Sequence, residues 1–201
     1  VDWDNAQIAG ATTVGQLPYL SNAGSANAKG IEIATRAILS DSFTAYATYA
    51  YTKAELTSDA PYLFNADGTY GAVDGDRLPG SPEHQFSMGI NYQTEVFNDK
   101  TLDINYGLTA QSDVISKVGL RDNGEALPGY SLSNISAKLT ADAWSTTLYV
   151  DNLFNKYAVT SVRRSDADIT TANGADIQRN YGYFINRPLT VGIKFNYKFE
   201  I

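Results

Sequence analysis

Cysteine is absent from the 201 residues, which excludes a disulfide framework, thiol catalysis and any metal site with Cys ligands. Basic side chains are also scarce, since 15 Lys and Arg stand against 22 Asp and Glu and the formal net charge is −7. A nucleic-acid-binding protein needs a basic face, so that class is excluded. No apolar run approaches the length of about 18 residues that a membrane-spanning helix requires. His84 is the single histidine, no Ser or Cys nucleophile arrangement accompanies it, and we predict no enzyme.

Residues 187–199 alternate strictly between apolar and polar side chains. One row should face lipid: Leu189, Val191, Ile193, Phe195, Tyr197 and Phe199. The other row is polar: Thr190, Gly192, Lys194, Asn196 and Lys198. Because side chains of a strand point alternately to opposite faces, the pattern predicts a ribbon with hydrocarbon on one side and water on the other. A tilted strand of about eleven residues is long enough to span a bilayer.

The same alternation recurs along the chain, and the links between strands differ in length. It predicts the end of a strand over residues 1–9 and strands near 29–39, 43–52, 85–93, 101–111, 130–140 and 144–151. The strand at 130–140 is less regular, because Leu132 and Ser133 break the alternation. Links near 41, 98 and 142 are short, whereas those at 10–28, 55–80, 113–128 and 159–183 are long. Short turns at one end and long loops at the other are typical of an outer-membrane barrel, and hairpin links predict all-β, antiparallel up-and-down topology.

The strand count leaves the size of the barrel open. About seven full strands and a partial one could close a narrow barrel of eight, but the polar rows hold many small residues, which suit a wide lumen. The first residues have neither a basic region nor an apolar core of a signal peptide. We therefore expect residues 1–201 to be the C-terminal portion of a single β-barrel domain. The alternatives are a complete small outer-membrane pore or structural barrel, and a soluble lipid-binding β-barrel whose apolar rows point inward.

Five stretches together resemble one family. They are NAGSANAKGIE at 22–32, RLPGSPEH at 77–84, LPGY at 127–130, VDNLFNKY at 150–157, and the terminal alternating strand that carries Phe199. In this order they resemble the TonB-dependent outer-membrane receptors, and the resemblance extends over nearly the whole chain. It implies a barrel of about 22 strands around an N-terminal plug, with these residues forming about its last seven to eight strands and the plug, the TonB box and the earlier strands lying elsewhere.

The resemblance implies a function and a set of partners. The function is active uptake of a ferric-siderophore or similar scarce nutrient through the outer membrane of a Gram-negative bacterium, with ligand bound by long extracellular loops and lumen. The partners are the TonB complex (through the plug), the nutrient ligand, outer-membrane lipid and lipopolysaccharide, and the barrel-assembly machinery, for which Phe199 would be the terminal aromatic signal. No nucleic acid and no cofactor are implied.

Candidate site residues follow from chemistry and from predicted position. Arginines and tyrosines in or beside the long loops could hold an anionic chelate through guanidinium forks and ring stacking: Arg163, Arg164, Arg179, Tyr181, Tyr183, Tyr62 and Tyr70. The alternative for the arginines is pairing with nearby aspartates or with lipopolysaccharide phosphates. Charged residues on the polar rows should face the lumen: Glu32, Arg36, Asp103, Lys138 and Asp151. Asp74 and Asp76 lie in an acidic loop that lacks the spacing of a calcium-binding loop, so no metal site is predicted.

Overall fold

The computed structural model describes residues 1–11, 18–22, 24–60, 62–63, 69, 71–97, 99–120, 124–164 and 181–199. Within them the chain is almost entirely strand, with a single 3₁₀ turn at Val118–Leu120. The strands are β1 (Asp2–Trp3), β2 (Gln7–Ala11), β3 (Pro18–Asn22), β4 (Ala26–Ile38), β5 (Phe43–Leu56), β6 (His84–Val96), β7 (Lys100–Gln111), β8 (Val114–Ile115), β9 (Ala126–Leu127), β10 (Tyr130–Thr140), β11 (Trp144–Asp151), β12 (Val159–Arg164), β13 (Tyr181–Ile185) and β14 (Thr190–Tyr197). No helix among the described residues is long and apolar enough to cross a membrane.

One antiparallel sheet dominates the described structure, with strand order β1-β4-β5-β6-β7-β10-β11-β14. Each long strand pairs with the next long strand along the chain, so the sheet has up-and-down topology. Pairing is unbroken over long stretches. Between β7 and β10, for example, it runs from the Tyr130–Gln111 pair to the Thr140–Thr101 pair. The all-β antiparallel fold predicted from the alternation is confirmed, with seven long strands and the short β1 in the sheet.

The register gives this sheet one apolar and one polar face. A row across the apolar face runs through Ala37, Ala45, Ile90, Tyr106, Ile135 and Val150 to Val191. A row across the polar face runs through Ala34, Thr48, Ser87, Thr109 and Leu132. Because the alternation has a period of two and the register never slips along these pairs, apolar positions stay in line from strand to strand. Much of the apolar face is exposed, with Ile193 at 68% and Val191 at 67%.

The irregular sequence of β10 does not disturb the sheet. Ser133 lies on the apolar face but is only 3% exposed, and its hydroxyl lies 3.0 Å from the Tyr106 hydroxyl on the neighbouring strand. The Ser133 hydroxyl is thus both buried and hydrogen-bonded to Tyr106, which lowers the cost of placing a serine on an apolar face. Leu132 lies on the polar face. The break in alternation is therefore a local exchange and not a change of register.

Aromatic side chains on the apolar face cluster near both ends of the strands. At the turn end, Phe43 packs on Tyr92 with ring centroids 4.5 Å apart, and Trp144 stacks on Phe195 at 6.4 Å. At the loop end, His84 lies beside Tyr51 with ring centroids 5.2 Å apart. From Phe43 to Tyr51 the strand rises about 27 Å, which a tilt of about 40° reduces to about 21 Å of height. Two aromatic belts at that separation match the interfacial girdles of a transmembrane barrel.

The long links hold more structure than the sequence predicts. Hairpins form between β2 and β3, between β8 and β9, and between β12 and β13, largely in segments that the sequence predicts as long links. The expected strand over residues 1–9 is likewise wrong in detail, because β1 and β2 are separate short strands. These strands have two to six residues, which is too short for an alternation to stand out.

A small apolar core lies at the loop end of the sheet. Its buried members are Ala26, Leu56, Ala60, Leu63, Ala72 and Val118, and Ala6, Ile8 and Leu78 pack against it. Arg77 connects the link between β5 and β6 with the link that follows β7. Its guanidinium donates to the Asp113 carboxylate at 2.8 Å and to the Asp113 carbonyl at 2.5 Å. We call this group of residues the loop core. It gives the long links a fixed packing over the end of the sheet.

Asparagines fix the connection that leads from β11 towards β14. The buried Asn152 has a positive φ of 51°, and its side-chain amide donates to the carbonyls of Lys156 and Arg187, each at 2.9 Å. Its side-chain oxygen accepts from the Lys156 amide at 2.8 Å. Asn155 accepts from the Leu189 amide at 3.0 Å. Asparagine tolerates the left-handed conformation and satisfies backbone groups here, so the NLFNKY stretch is a structural turn.

Candidate functional site: the polar wall below the loops

A recess of 670 Å³ lies on the polar face of the sheet, close to the loop end. Most of its lining comes from polar-face residues of β4, β5, β6, β7 and β10: Glu32, Ala34, Thr48, Ala50, Gln85, Ser87, Thr109, Gln111, Tyr130 and Leu132. Since one recess receives side chains from so many consecutive strands, the sheet is concave on its polar side. The polar groups of these ten residues are a carboxylate, two carboxamides, three aliphatic hydroxyls and a phenol, a set suited to hydrogen bonding.

A second cavity of 530 Å³ adjoins this recess on the loop side. It lies between the segment that contains Pro79 and Pro82, the β8–β9 hairpin, and β12. The two spaces share Gln85, Gln111 and Tyr130. These three residues are direct cross-strand neighbours, because Gln85 pairs with Gln111 and Gln111 with Tyr130. The two spaces therefore meet along one row of the sheet.

That row continues to the edge of the recess. Gln85 pairs with Ala50 and Ala50 with Glu32, so a single line crosses five strands. We call Glu32, Gln85, Gln111 and Tyr130 the wall strip. None of the four side chains has a hydrogen-bond or ion-pair partner among the residues that the structure describes. Glu32 is among the residues predicted from the sequence, whereas Gln85, Gln111 and Tyr130 are not, although each stands on a polar row at the loop end of its strand.

The predicted ligand contacts do not come together as one described site. Arg163 and Arg164 lie in β12 and Tyr181 lies in β13, but their side chains are outside the described part of the structure. Arg179 and Tyr70 lie outside the described residues altogether.

Two of the predicted ligand contacts are described with their side chains. Tyr62 is 60% exposed, and its carbonyl accepts a hydrogen bond from the Tyr19 hydroxyl. Tyr183 donates its hydroxyl to the Glu125 carboxylate at 2.8 Å, which ties β13 to the link before β9. Ligand contact by any member of the set stays a prediction.

The five charged residues expected in the lumen share the polar face. Asp103 pairs directly with Lys138, and Lys138 pairs with Thr147, which pairs with Lys194. Glu32 and Arg36 lie on the polar side of β4, two residues before and two residues after Ala34, which lies on that side as well. Asp151 lies opposite Thr190. Their common face agrees with the register we expected, and the lumen role itself stays a prediction.

The residues expected to face lipid share the apolar face along β14. Val191 pairs with Val150, Ile193 with Leu148, and Phe195 with Thr146. All six residues are exposed, from Leu189 at 42% to Phe199 at 79%. Phe199 lies just beyond β14 and packs edge-on against Tyr197 with ring centroids 4.8 Å apart. Contact with lipid and reading of Phe199 by the assembly machinery remain predictions.

His84 is part of the aromatic belt. Its Nδ1 lies 2.8 Å from the Tyr49 hydroxyl, and both side chains are on the apolar face, away from the recess. The described residues include no group of three or more His, Cys, Asp or Glu side chains that could hold a metal ion. Asp74 instead donates its backbone amide to the Asp59 carboxylate at 3.0 Å, and Asp76 accepts from the Val73 amide at 2.8 Å.

A curved antiparallel wall with an apolar outer face, aromatic belts, short turns at one end and long links at the other defines part of an outer-membrane-type β-barrel. The sequence model of the family described as "TonB dependent receptor-like, beta-barrel" matches residues 2–153. The chain therefore belongs to the TonB-dependent receptor family, as its sequence motifs indicate. A search of curated proteins gives no match.

Solved structures of several receptors are similar to the chain in fold. The ferric yersiniabactin uptake receptor FyuA from Yersinia pestis superposes with a TM-score of 0.71 at 18% identity, over 99% of this chain and 26% of that one. The ferric-catecholate import receptor Fiu from E. coli K12 gives 0.61 at 20% identity, over 96% and 23%. BauA, the ferric preacinetobactin receptor from Acinetobacter baumannii, gives 0.61 at 19% identity, over 98% and 25%. The chain thus spans about a quarter of the length of these structures, and identities this low show the fold alone.

Proposed function

We propose that the chain is the C-terminal wall of a TonB-dependent transporter that takes up a ferric-siderophore or a similar scarce nutrient across the outer membrane of a Gram-negative bacterium. The observation that carries the proposal is the two-faced sheet: an exposed apolar face with aromatic belts, opposite a concave polar face with a recess below the loops. Family membership and similarity to siderophore receptors support the same function.

In this proposal residues 1–201 form one portion of a single barrel domain, and other segments of the receptor complete the barrel and supply the plug that contacts TonB. The two edges of the sheet support this. Among the described residues the outer side of β4 is paired only at its start, where Ala26, Asn27 and Ala28 meet residues 1–3, and β14 pairs with β11 alone among the described strands. Unpaired edge strands require partners inside a membrane, because lipid cannot satisfy backbone hydrogen bonds.

The polar wall would then line the lumen, and the loops above it would form the outer vestibule. The loop core packs two of those links against each other, and the second cavity lies between links and β12. Asp103, Lys138 and Lys194 would face the plug or lumen water. The apolar face would contact lipid, with lipopolysaccharide against the loop-end belt.

The experiment is uptake of radioactive iron by a deletion strain that carries the full-length receptor gene, supplied with single ferric chelates. We expect uptake of at least one chelate that is abolished when tonB is deleted. Accumulation that persists without TonB would instead favour a passive pore. Purified protein that stays monomeric without detergent would favour the soluble lipid-binding barrel, although an outward apolar face argues against it.

A further inference from the structure

Some polar side chains lower on the same face are bonded to one another. There, Thr48 and Ser87 share a hydrogen bond at 2.7 Å, and Asn91 donates to Asn105 at 2.8 Å. The wall strip residues instead leave two carboxamides, a phenol and a carboxylate without partners among the described residues. Polar groups in a recess that do not satisfy one another are free to bind water or a ligand.

The described charge around the wall strip is negative only. Glu32 is the single charged side chain in the lining of the recess, and the lining of the second cavity contains none, as far as the described residues extend. The guanidinium of Arg77, in the link between β5 and β6, forms an ion pair with Asp113 at 2.8 Å. No described cation is therefore available in either space to neutralise an anionic ligand, and placing an unpaired anion there would be costly.

We propose that the wall strip makes this receptor selective for ferric chelates that are neutral or cationic and rich in hydrogen-bonding groups, the trihydroxamate class, over the trianionic tris-catecholate class. This inference rests on the proposed function of ferric-chelate uptake. Hydroxamates carry single charges that balance the ferric ion, whereas catecholates carry double charges and leave a large negative surplus. Gln85, Gln111 and Tyr130 would bind the carbonyl and amide groups of the ligand, and Glu32 would repel an anion.

The competing arrangement is binding of an anionic ligand by Arg163 and Arg164 of β12 (an anion grip), which come one and two positions after cavity-lining Val162. The two arrangements predict opposite preferences. An arginine grip favours the tris-catecholate complex and loses it when the guanidinium charges are removed.

The test is fluorescence-monitored binding of a ferric trihydroxamate and a ferric tris-catecholate to the purified full-length receptor and its variants. We expect the trihydroxamate to bind at least about ten-fold more tightly. Gln85→Leu and Gln111→Leu should each weaken it about five-fold, the effect of one lost hydrogen bond. Glu32→Gln should strengthen tris-catecholate binding about three- to ten-fold, a screened Coulomb effect of one charge on a trianion. The matched control is Gln93→Leu, on the same face of β6 but outside the recess, which should change neither affinity.

A higher affinity for tris-catecholate would overturn the inference, and its loss in the Arg163→Gln, Arg164→Gln double variant would establish the anion grip in its place. Strip variants that behave like Gln93→Leu would also overturn it, because the strip would not contact ligand. If neither chelate binds and no iron is taken up, the proposed function itself fails, and that outcome differs from a reversed charge preference.

Discussion

An arginine introduced at residue 137 should destabilise the folded receptor in a membrane far more than an arginine introduced at residue 136. Ala137 and Ser136 are consecutive in β10, both are small and half-buried, and they lie on opposite faces. Ala137 has Ile104 and Leu148 as its cross-strand neighbours, whereas Ser136 has Asn105 and Tyr149. The pair therefore differs in which face receives the charge and in little else.

The expected magnitude follows from the depth of Ala137. It lies four positions before Ala141, which begins the short turn, so its height above the turn is about 10 Å at a tilt of about 40°. That is near the middle of an apolar band of about 25 Å, where an arginine facing lipid costs about 2–4 kcal/mol. We expect Ala137→Arg to reduce the folding equilibrium constant about 30- to 900-fold, and Ser136→Arg to change it less than about three-fold.

The assay is denaturant-induced unfolding of the full-length receptor refolded in phospholipid vesicles, followed by tryptophan fluorescence. Both variants are compared with the parent protein at the same lipid-to-protein ratio. Equal losses of stability, or a larger loss for Ser136→Arg, would contradict the assignment of the apolar face to lipid.

Three further predictions concern contacts within the wall and the loops. Gly192→Ala should cost at most about 0.5–1.5 kcal/mol in the same assay, because a Cβ at Gly192 would overlap the phenol end of Tyr149 and force that side chain to turn aside; in the Tyr149→Ala background the cost should disappear, and an unchanged cost would refute the steric cause. Asn152→Ala should increase protease cleavage between β11 and β14 by at least about ten-fold, since its amide holds two carbonyls at 2.9 Å, and wild-type resistance would show that the turn does not depend on it. Arg77→Gln should accelerate amide hydrogen exchange in both loop-core links but not in the sheet, because the ion pair with Asp113 at 2.8 Å is lost; exchange confined to the link that contains residue 77 would mean that Arg77 does not couple the links.

The strands of the sheet could be predicted because their environment is encoded residue by residue. The row from Leu189 to Phe199 alternates with polar residues, and a period of two in which one side is apolar fixes both the strand and its face. The number of long strands in the sheet and the alternation of short and long links follow from the same pattern. Ser133 shows the limit of this pattern. Its hydroxyl bonds to the Tyr106 hydroxyl, 27 positions away in the sequence, and a local pattern cannot identify that partner.

The loop core could not be predicted for a related reason. Leu56, Leu63 and Val118 are separate apolar residues in segments rich in turn formers, and they meet only after the links fold back over the sheet. The asparagines of residues 152–155 were recognised as a family motif, but their role in holding backbone carbonyls depends on the φ of 51° at Asn152. Sequence pattern locates such residues without stating what they bind.

The candidate site was only partly accessible from sequence. The sequence predicts ligand contacts by loop arginines and tyrosines because their chemistry suits an anionic chelate. The described recess, however, is lined by residues that include Gln85, Gln111 and Tyr130. Glutamine on a polar row looks like any solvated residue. Its significance arises from cross-strand register, which aligns these side chains at the boundary between two cavities.

The most direct test of the two-faced wall is a pair of single-cysteine fluorescent labels at Ile193 and Lys194 of the receptor in vesicles. The 201 residues contain no cysteine, so no native thiol among them competes with the introduced cysteine for the label. We predict that brominated lipid quenches the label at residue 193 and that aqueous iodide quenches the label at residue 194. The reverse pattern, or equal quenching of both labels by iodide, would contradict a barrel wall whose apolar face contacts the membrane.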